Sequence, residues 1–322
     1  MTDKHNILIL SAGRRVELIK LFQATLVQYF PNASVITTDF NPKLSPACHV
    51  ANTSFTAPKV TSPNYIDFLL NLCTQENIGM VIPTIDTELK VLSERRADFD
   101  EKNINLIISE KELVDACHDK RKTSEVFFEL DIDQPLIYSI DEIELPCFCK
   151  PYDGSSSQGA FPIYSRDQLS TKYIEDKNNM FMELINESYK EYTIDAYYDR
   201  ESYLKCLVPR ERLEVRSGEI SKGITRKDFV YYYLIERLKV FKGARGCLTI
   251  QVFANEKICS IKAIEINPRF GGGYPLAYAA GANYADWLIR EYFLGEDLRL
   301  FTNWENNLLM LRYDANVIVH EN

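Results

Sequence analysis

The sequence predicts a protein of mixed fold class, an α/β domain built on a parallel sheet followed by a larger α+β domain. Three observations support this prediction. Strand-like and helix-like segments alternate over the first hundred or so residues, which is typical of a parallel sheet with helices on both faces. From Lys111 the pattern changes to a helix-like stretch and then to β-rich segments through Asn267. The length of 322 residues suits about two domains of ordinary size.

The first domain is predicted to begin with a strand at 6–11, followed by an Ala-Gly turn and a long amphipathic helix. Its further elements are predicted as strands at 34–38, 80–83 and 105–109 and as helices at 65–74 and 88–99. Such sheets often bind dinucleotides, but the first turn holds only Gly13 where the fingerprint G-x-G-x-x-G requires three glycines. We therefore do not predict a dinucleotide site.

Two arginines follow that glycine and open the first helix. Gly13, Arg14 and Arg15 present N–H and guanidinium groups that suit an anion at a helix N-terminus. Solvated arginines on a first helical turn are the more ordinary interpretation, and this pattern alone does not distinguish the two.

Composition excludes several classes of protein. There are 37 Lys and Arg residues against 46 Asp and Glu, a net charge of −9, which is the wrong sign for general binding to nucleic acid. No apolar run is long enough for a transmembrane helix, and the apolar run near the start is too short for a signal peptide. The 8 cysteines lack CxxC spacing and suit a reducing compartment. We expect a cytoplasmic protein without a membrane or nucleic-acid partner.

The chain has few histidines that could take part in catalysis. The 4 histidines are His5, His49, His118 and His320, which lie near the ends or in polar, loop-like surroundings. A Ser-His-Asp or Cys-His mechanism is therefore not predicted.

A segment rich in glycine and serine runs from Lys150 to Gly159 after an apolar strand. Gly154 and Gly159 have the interval of a Walker loop, but Ala160 follows where that loop requires lysine. Small residues of this kind let N–H and hydroxyl donors approach phosphate oxygens, with Lys150 beside them. An ordinary hairpin connection is the alternative.

Polar side chains alternate near the end of a late strand-like segment. Strand alternation places Glu265 and Asn267 on one face. If the chain reverses after the preceding strand-like segment, 248–254, Gln251 comes beside Glu265. Oxygen donors of these types suit Mg²⁺, and Arg269 lies one strand step further on, toward a phosphate or oxyanion. The polar end of an ordinary strand is the alternative.

These motifs together resemble those of the ATP-grasp ligases. In order, the chain has a lysine on a helix, a KP-x-x-GSSSxG segment, a Met-Glu-Leu-Ile hinge, a strand glutamine and E-I-N-P-R. The resemblance is closest to one synthetase module of the carbamoyl phosphate synthase large subunit and to stand-alone carboxylate–amine ligases. It implies a Rossmann-like pre-ATP-grasp domain over 1–110 and an ATP-grasp domain over 111–322. The latter would divide into a flap at 111–182, a metal and nucleotide subdomain at 183–300 and a tail.

The resemblance implies a role for each matching position. The implied nucleotide-binding residues are Lys120, Lys150, Gly154, Ser155, Ser156, Ser157, Gly159, Glu183, Leu184, Ile185, Glu191, Arg210 and Arg212. The implied magnesium-binding residues are Gln251, Glu265 and Asn267, and the implied catalytic residues are Arg269, Asn267 and Lys150. Short arginine-rich strands such as the one with Arg210 and Arg212 are also common at protein surfaces.

Substrate residues are predicted at two places. Asp86 and Glu88 follow a strand C-terminus, where ligands bind in open α/β sheets, although both residue types are also ordinary in a first helical turn. Gly272 and Tyr274 are predicted to shape an acceptor pocket.

We therefore expect a ligase that uses ATP and Mg²⁺, or Mn²⁺ in its place, to join a small carboxylate to an amine. Its partners would be these small molecules, and a homodimer is compatible with the resemblance. Carbamoyl phosphate chemistry is the enzymatic alternative, although that synthase uses two such modules. A nucleotide-binding protein without catalysis is the other alternative.

Overall fold

The computed structural model describes residues 4–153, 159–216 and 218–320. Within these ranges the strands pair into three β-sheets, one parallel and two antiparallel. The parallel sheet belongs to the N-terminal part of the chain, and the predicted mixed fold class is confirmed. Within the same ranges, no helix has the length and apolar character needed to cross a bilayer.

The N-terminal sheet is covered by helices on both faces. Its strands are β1 (Asn6–Ile9), β2 (Val35–Asp39), β3 (Thr53–Thr56), β4 (Ile78–Ile82) and β5 (Asn105–Leu106), in the order β3-β2-β1-β4-β5. Its helices are α1 (Val16–Tyr29), α2 (Pro46–Val50), α3 (Tyr65–Gln75), α4 (Asp86–Glu94) and α5 (Arg96–Glu101). Strand β1 is almost wholly apolar and buried, as expected for a central parallel strand.

The prediction for this domain is confirmed in its main elements and wrong in two details. The helix predicted over 88–99 is interrupted at Arg95, which lies between α4 and α5. Helix α2 and strand β3 were not predicted. Strand β3 is a half-exposed edge strand of sequence TSFT, so it lacks the apolar run that identifies a buried strand.

The chain continues with two helices and a small antiparallel sheet. Helices α6 (Lys111–His118) and α7 (Lys120–Glu129) replace one predicted helix, because Asp119 accepts a hydrogen bond from the Arg121 N–H at 3.0 Å and caps α7. The small sheet has the order β6-β9-β7-β8, and helix α8 (Thr171–Glu175) follows β8. Its strands are β6 (Ile137–Tyr138), β7 (Cys147–Pro151), β8 (Phe161–Ile163) and β9 (Asn179–Glu183).

The large sheet is antiparallel throughout, with the order β14-β13-β10-β11-β12-β15. Its strands are β10 (Lys190–Tyr198), β11 (Leu204–Arg216), β12 (Glu219–Thr225), β13 (Gly246–Asn255), β14 (Ser260–Asn267) and β15 (Leu309–Leu311). Its helices are α9 (Phe229–Arg237), α10 (Tyr274–Ala279) and α11 (Tyr284–Tyr292). The tail, from which no element was predicted, therefore adds an edge strand.

The N-terminal and large sheets share one hydrophobic core. Phe22 of α1 meets Phe270 edge to face, with ring centroids 5.8 Å apart, and α1 also packs on α11. Because buried residues of both parts belong to this core, the two sheets hold each other in place. A domain boundary at residue 110 stays a proposal, with the parallel sheet before it and the antiparallel sheets after it.

Candidate active site

A cleft of about 550 Å³ lies between the N-terminal sheet and the large sheet. One wall comes from turns of the N-terminal part, with Arg15 before α1 and Asp86 at the start of α4. The opposite wall comes from β13 and β14 and from the glycines that follow them. A cleft of this size accommodates a small-molecule ligand.

The oxygen donors predicted from the sequence lie together on the second wall. Gln251 and Glu265 are directly opposite each other in the β13–β14 register, so the predicted chain reversal is confirmed. Asn267 lies two residues further along the same face, and its Nδ2 donates a hydrogen bond to Glu265 Oε1 at 3.0 Å. All three residues line the cleft.

This donor set is poor in charge. Within the described part of the chain, no group of three or more His, Cys, Asp or Glu residues is placed to hold a metal ion. The set on β13 and β14 offers one carboxylate and two carboxamides instead. Such a set fits a hard cation that takes part of its coordination from water and phosphate oxygens, as Mg²⁺ commonly does.

Two lysines lie within electrostatic range of Glu265. Lys120 is the first residue of α7 and lines the cleft, whereas Lys150 lies on β7 with 7% of its surface exposed. Burial lowers the pKa of Lys150 to about 8, Lys120 acts in the same direction, and Glu265 opposes both. Burial also lowers the pKa of Lys120, against the attraction of Glu265. An anion placed beside both ammonium groups would offset their mutual repulsion and favour their charged forms.

In the predicted hinge, the Glu183 side chain contacts other residues of the protein. The Glu183 carboxylate accepts a hydrogen bond from the Leu136 N–H at 3.1 Å and forms an ion pair with Lys262 at 3.2 Å. Leu184 and Ile185 follow β9 and are half-buried. With the Glu183 carboxylate so occupied, the hinge proposal rests on the backbone of this segment rather than on that side chain.

Glu191 and Arg212 form an ion pair on neighbouring positions of the large sheet. Burial raises the pKa of Glu191, and the Arg212 guanidinium opposes this rise. Arg212 Nη1 also lies 3.4 Å from Gln251 Oε1, so the pair adjoins the oxygen donors.

Arg210 is buried beneath the glycine run, with 1% of its surface exposed. Its guanidinium donates to both oxygens of Asp195, at 2.6 and 3.1 Å. A Cβ atom at Gly273 would lie 2.2 Å from Arg210 Nη1, so this close approach requires glycine. A surface position for Arg210, considered from the sequence, is thereby excluded.

Arg269 connects the two walls. Its Nη2 donates to Asp86 Oδ2 at 2.6 Å, which ties the end of β14 to the start of α4. The structure thus brings Asp86, predicted as a substrate residue, against the arginine predicted as catalytic.

Two predicted substrate residues do not reach the cleft. Glu88 has none of its surface exposed and accepts hydrogen bonds from Ser11 Oγ at 2.5 Å and Tyr65 OH at 2.7 Å inside the N-terminal core. Tyr274 is likewise fully buried; its OH donates to the Ala282 carbonyl oxygen at 2.9 Å and accepts from the Tyr284 N–H at 2.7 Å. Both predictions are corrected, because these side chains are fully buried and do not line the cleft.

Of the other predicted glycines and serines, some are described by the structure and some are not. Gly272 lines the cleft, and a Cβ atom there would lie 3.3 Å from the Glu219 carboxylate. Gly159 has a φ of +71°, which favours glycine. The other predicted loop residues, Gly154, Ser155, Ser156 and Ser157, lie outside the described residues.

Sequence reasoning missed Glu219 and left the role of Arg15 open. Glu219, at the start of β12, accepts from Arg312 Nη1 at 3.1 Å and faces Gly272. Nothing in the sequence distinguishes it from an ordinary surface glutamate. Arg15 lines the cleft and belongs to the Gly13-Arg14-Arg15 sequence, so a signal for it was present but ambiguous.

Family models match two parts of the chain. Residues 7–107 match the N-terminal domain of PylC-like proteins. Residues 175–312 match the family described as ATP-grasp in the biosynthetic pathway with Ter operon. No curated protein sequence matches the chain.

Solved structures share the fold. The biotin carboxylase domain of Hydrogenobacter thermophilus 2-oxoglutarate carboxylase has a TM-score of 0.72 at 15% identity, over 94% of this chain and 73% of that chain. N5-carboxyaminoimidazole synthetase from Staphylococcus aureus has a TM-score of 0.70 at 17% identity, over 97% and 81%. Biotin carboxylase from Campylobacter jejuni has 0.72 at 16%, over 95% and 74%.

At these identities the structural likeness shows the fold, and the family models cover both of its parts. Residues 7–107 thus resemble a PylC-like N-terminal domain and residues 175–312 an ATP-grasp family, and the chain has the fold of the biotin carboxylase structures.

Proposed function

We propose that this protein is an ATP- and Mg²⁺-dependent ligase that activates a carboxylate as an acyl phosphate and couples it to an amine. One observation supports this proposal above all. A single cleft of this fold gathers side chains whose chemistry suits binding phosphate, binding a metal ion and stabilising an oxyanion. They are Lys120, Gln251, Glu265, Asn267 and Arg269.

The donor chemistry fits the proposed cofactor. Gln251, Glu265 and Asn267 would hold Mg²⁺ through oxygen, with Glu265 as the carboxylate among them. When bound, Mg²⁺ would neutralise part of the negative charge of the triphosphate. Lys120 and Lys150 would hold phosphate oxygens near the metal ion, because each lies within electrostatic range of Glu265.

Two transfers complete the proposed reaction. An oxygen of the substrate carboxylate attacks the γ-phosphorus of ATP, the bond to the β-phosphate oxygen breaks, and ADP leaves. The amine nitrogen then attacks the acyl carbon, inorganic phosphate leaves, and the nitrogen loses a proton to solvent. Arg269, held by Asp86, is positioned to stabilise the oxyanion of the tetrahedral intermediate. Neither transfer requires a histidine or a covalent nucleophile.

Bicarbonate is a second candidate for the carboxylate. The H. thermophilus domain was solved with MgADP and bicarbonate, and the S. aureus enzyme is a carboxyaminoimidazole synthetase with ADP. A bicarbonate substrate would make the acyl phosphate a carboxyphosphate, as in the carbamoyl phosphate alternative.

Phosphate release from MgATP tests the proposal. We expect release only when a carboxylic acid and an amine are both present, from panels of amino acids and sugar acids. Release that needs only bicarbonate and ammonia would identify carbamoyl phosphate chemistry. A rise in melting temperature with MgATP but no release with any acid would indicate a nucleotide-binding protein without catalysis.

We also propose that two copies of the chain associate. The H. thermophilus domain was solved as a dimer, which supports this proposal by likeness of fold. Light scattering during size-exclusion chromatography would give twice the 37.2 kDa chain mass, and a single-chain mass would exclude a stable dimer.

A further inference from the structure

The two arginines before α1 have different surroundings. Arg14 is at the cleft mouth with 80% of its side chain exposed, and its Nη2 lies 3.9 Å from Glu219. Arg15 turns inward, and its Nη2 donates to the Thr84 carbonyl oxygen at 3.1 Å. Arg15 is therefore a fixed part of the N-terminal wall, whereas Arg14 is a surface residue.

Other arginines of the cleft have a carboxylate partner. Arg269 is paired with Asp86 at 2.6 Å, Arg210 with Asp195 at 2.6 Å, and Arg212 with Glu191. In the part of the chain that the structure describes, Arg15 forms no ion pair within 4.0 Å. The charge of Arg15 is thus not balanced by direct contact.

The Arg15 guanidinium also has an unused donor. Its Nη1 is buried and has no hydrogen-bond partner among the described residues. Burial and then the nearby Arg269 guanidinium lower the pKa of Arg15 to about 10; Glu219 and Asp86 oppose this. Those two carboxylates are already engaged by Arg312 and Arg269. A partly buried cation with a buried, unpaired N–H group beside a like charge is unfavourable unless an anion joins it.

The position of Arg15 indicates which anion this would be. Arg15 is on the N-terminal wall, opposite the oxygen donors of β13 and β14 where the nucleotide phosphates would lie. Arg269, which would contact the reacting group, is one of the charged neighbours of Arg15 and lowers its pKa. An anion at Arg15 would therefore belong to the acid substrate, next to its reacting end.

We propose that Arg15 binds a second anionic group of the acid substrate, so that the ligase acts on acids with at least two anionic groups. This inference rests on the proposed function, because the inference needs a nucleotide on the β13–β14 wall and an acid substrate on the N-terminal wall. The second group would be either a carboxylate or a phosphate, because both are compact groups whose anionic oxygens accept hydrogen bonds from a guanidinium.

Matched pairs of acids test this assignment by isothermal titration calorimetry. Butanoate and succinate differ by a carboxylate, and glycerate and 3-phosphoglycerate differ by a phosphate. In wild-type protein, we expect one dianionic acid to bind at least about tenfold more tightly than its partner, as one charged hydrogen bond allows. The pair that shows the preference identifies the anionic group.

Variants of the two arginines provide the matched comparison. Arg15→Ala is expected to remove the preference, and Arg15→Lys to keep part of it because the charge remains. Arg14→Ala, one residue away, is expected to keep the preference within about threefold, as for an exposed charge. Melting curves and MgADP binding show whether each variant is folded.

Two results would overturn the inference: no preference for a dianion in either pair with the wild-type protein, or a preference that Arg15→Ala leaves unchanged. The titrations are made with and without MgADP, so the anion preference is measured even if the protein binds no nucleotide. A failure of nucleotide binding would instead contradict the proposed ligase.

Discussion

The two walls of the cleft are built in different ways. On the wall formed by β13 and β14, Gln251, Glu265 and Asn267 come from adjacent strands whose register fixes their positions. On the N-terminal wall, Arg15 and Asp86 come from separate turns that meet only because the two sheets share a core. The first wall is local and regular, and the second depends on tertiary packing. We expect the first to govern the chemistry and the second to govern the choice of acid.

The largest effect should come from the regular wall. Glu265→Gln removes its carboxylate and should lower kcat/KM by about 1,000-fold, because metal-assisted charge stabilisation contributes several kcal/mol. Phosphate release measures this loss. Glu256→Gln is the control, because Glu256 is an exposed residue of the turn after β13. Equal activity of both variants would remove the metal-binding role of this wall.

The contact between the walls should have the next largest effect. Arg269→Ala should lower kcat by about 100-fold and leave the KM for ATP nearly unchanged, since the arginine would act on the oxyanion. Asp86→Asn should cost less, because the positive charge of Arg269 remains. If Arg269 acts through its contact with Asp86, the double variant should lose less than the product of both single effects. Multiplicative losses would show that the two residues act independently.

Protonation of Lys150 should accompany nucleotide binding. The pKa of Lys150 is lowered to about 8, and phosphate beside it would raise that pKa again, so binding at pH 8 should take up about half a proton. Calorimetry in two buffers of different ionisation enthalpy measures the uptake. Lys150→Met should remove most of it, and Lys177→Met, at an exposed lysine, should not. Proton release on binding would contradict the assignment.

The smallest effect concerns stability and the core beneath the N-terminal wall. Burial raises the pKa of Glu88 from 4.5 to about 7. Between these values the folded protein binds a proton that the unfolded chain releases, so stability should fall as pH rises through this window. Glu88→Gln should flatten this dependence and add on the order of 1–3 kcal/mol at pH 8.

Urea unfolding at several pH values measures the effect of Glu88→Gln. Glu94→Gln, an exposed position at the end of α4, is the control and should leave the pH dependence unchanged. A pH dependence retained in Glu88→Gln would assign it to another group. A large change in the KM for the acid in Glu88→Gln would indicate that Glu88 belongs to the substrate site after all.

Much of this fold could be predicted from periodicity. The alternation of strands and helices indicated the parallel sheet, and the alternating polar residues placed Glu265 and Asn267 on one face. The pairing of β13 with β14 followed from one chain reversal. Such features depend on neighbouring residues and on the repeat of a single element, and a sequence displays both directly.

Only the tertiary structure decided the surroundings of individual polar residues. Arg14 and Arg15 are adjacent and identical in type, yet one is exposed and the other lies in the cleft wall. Glu88 and Tyr274 follow strand ends, as ligand-binding residues do, yet both are buried with protein partners. Periodicity shows on which face of an element a side chain lies. What covers that face depends on how distant segments pack, and here that packing formed the N-terminal wall.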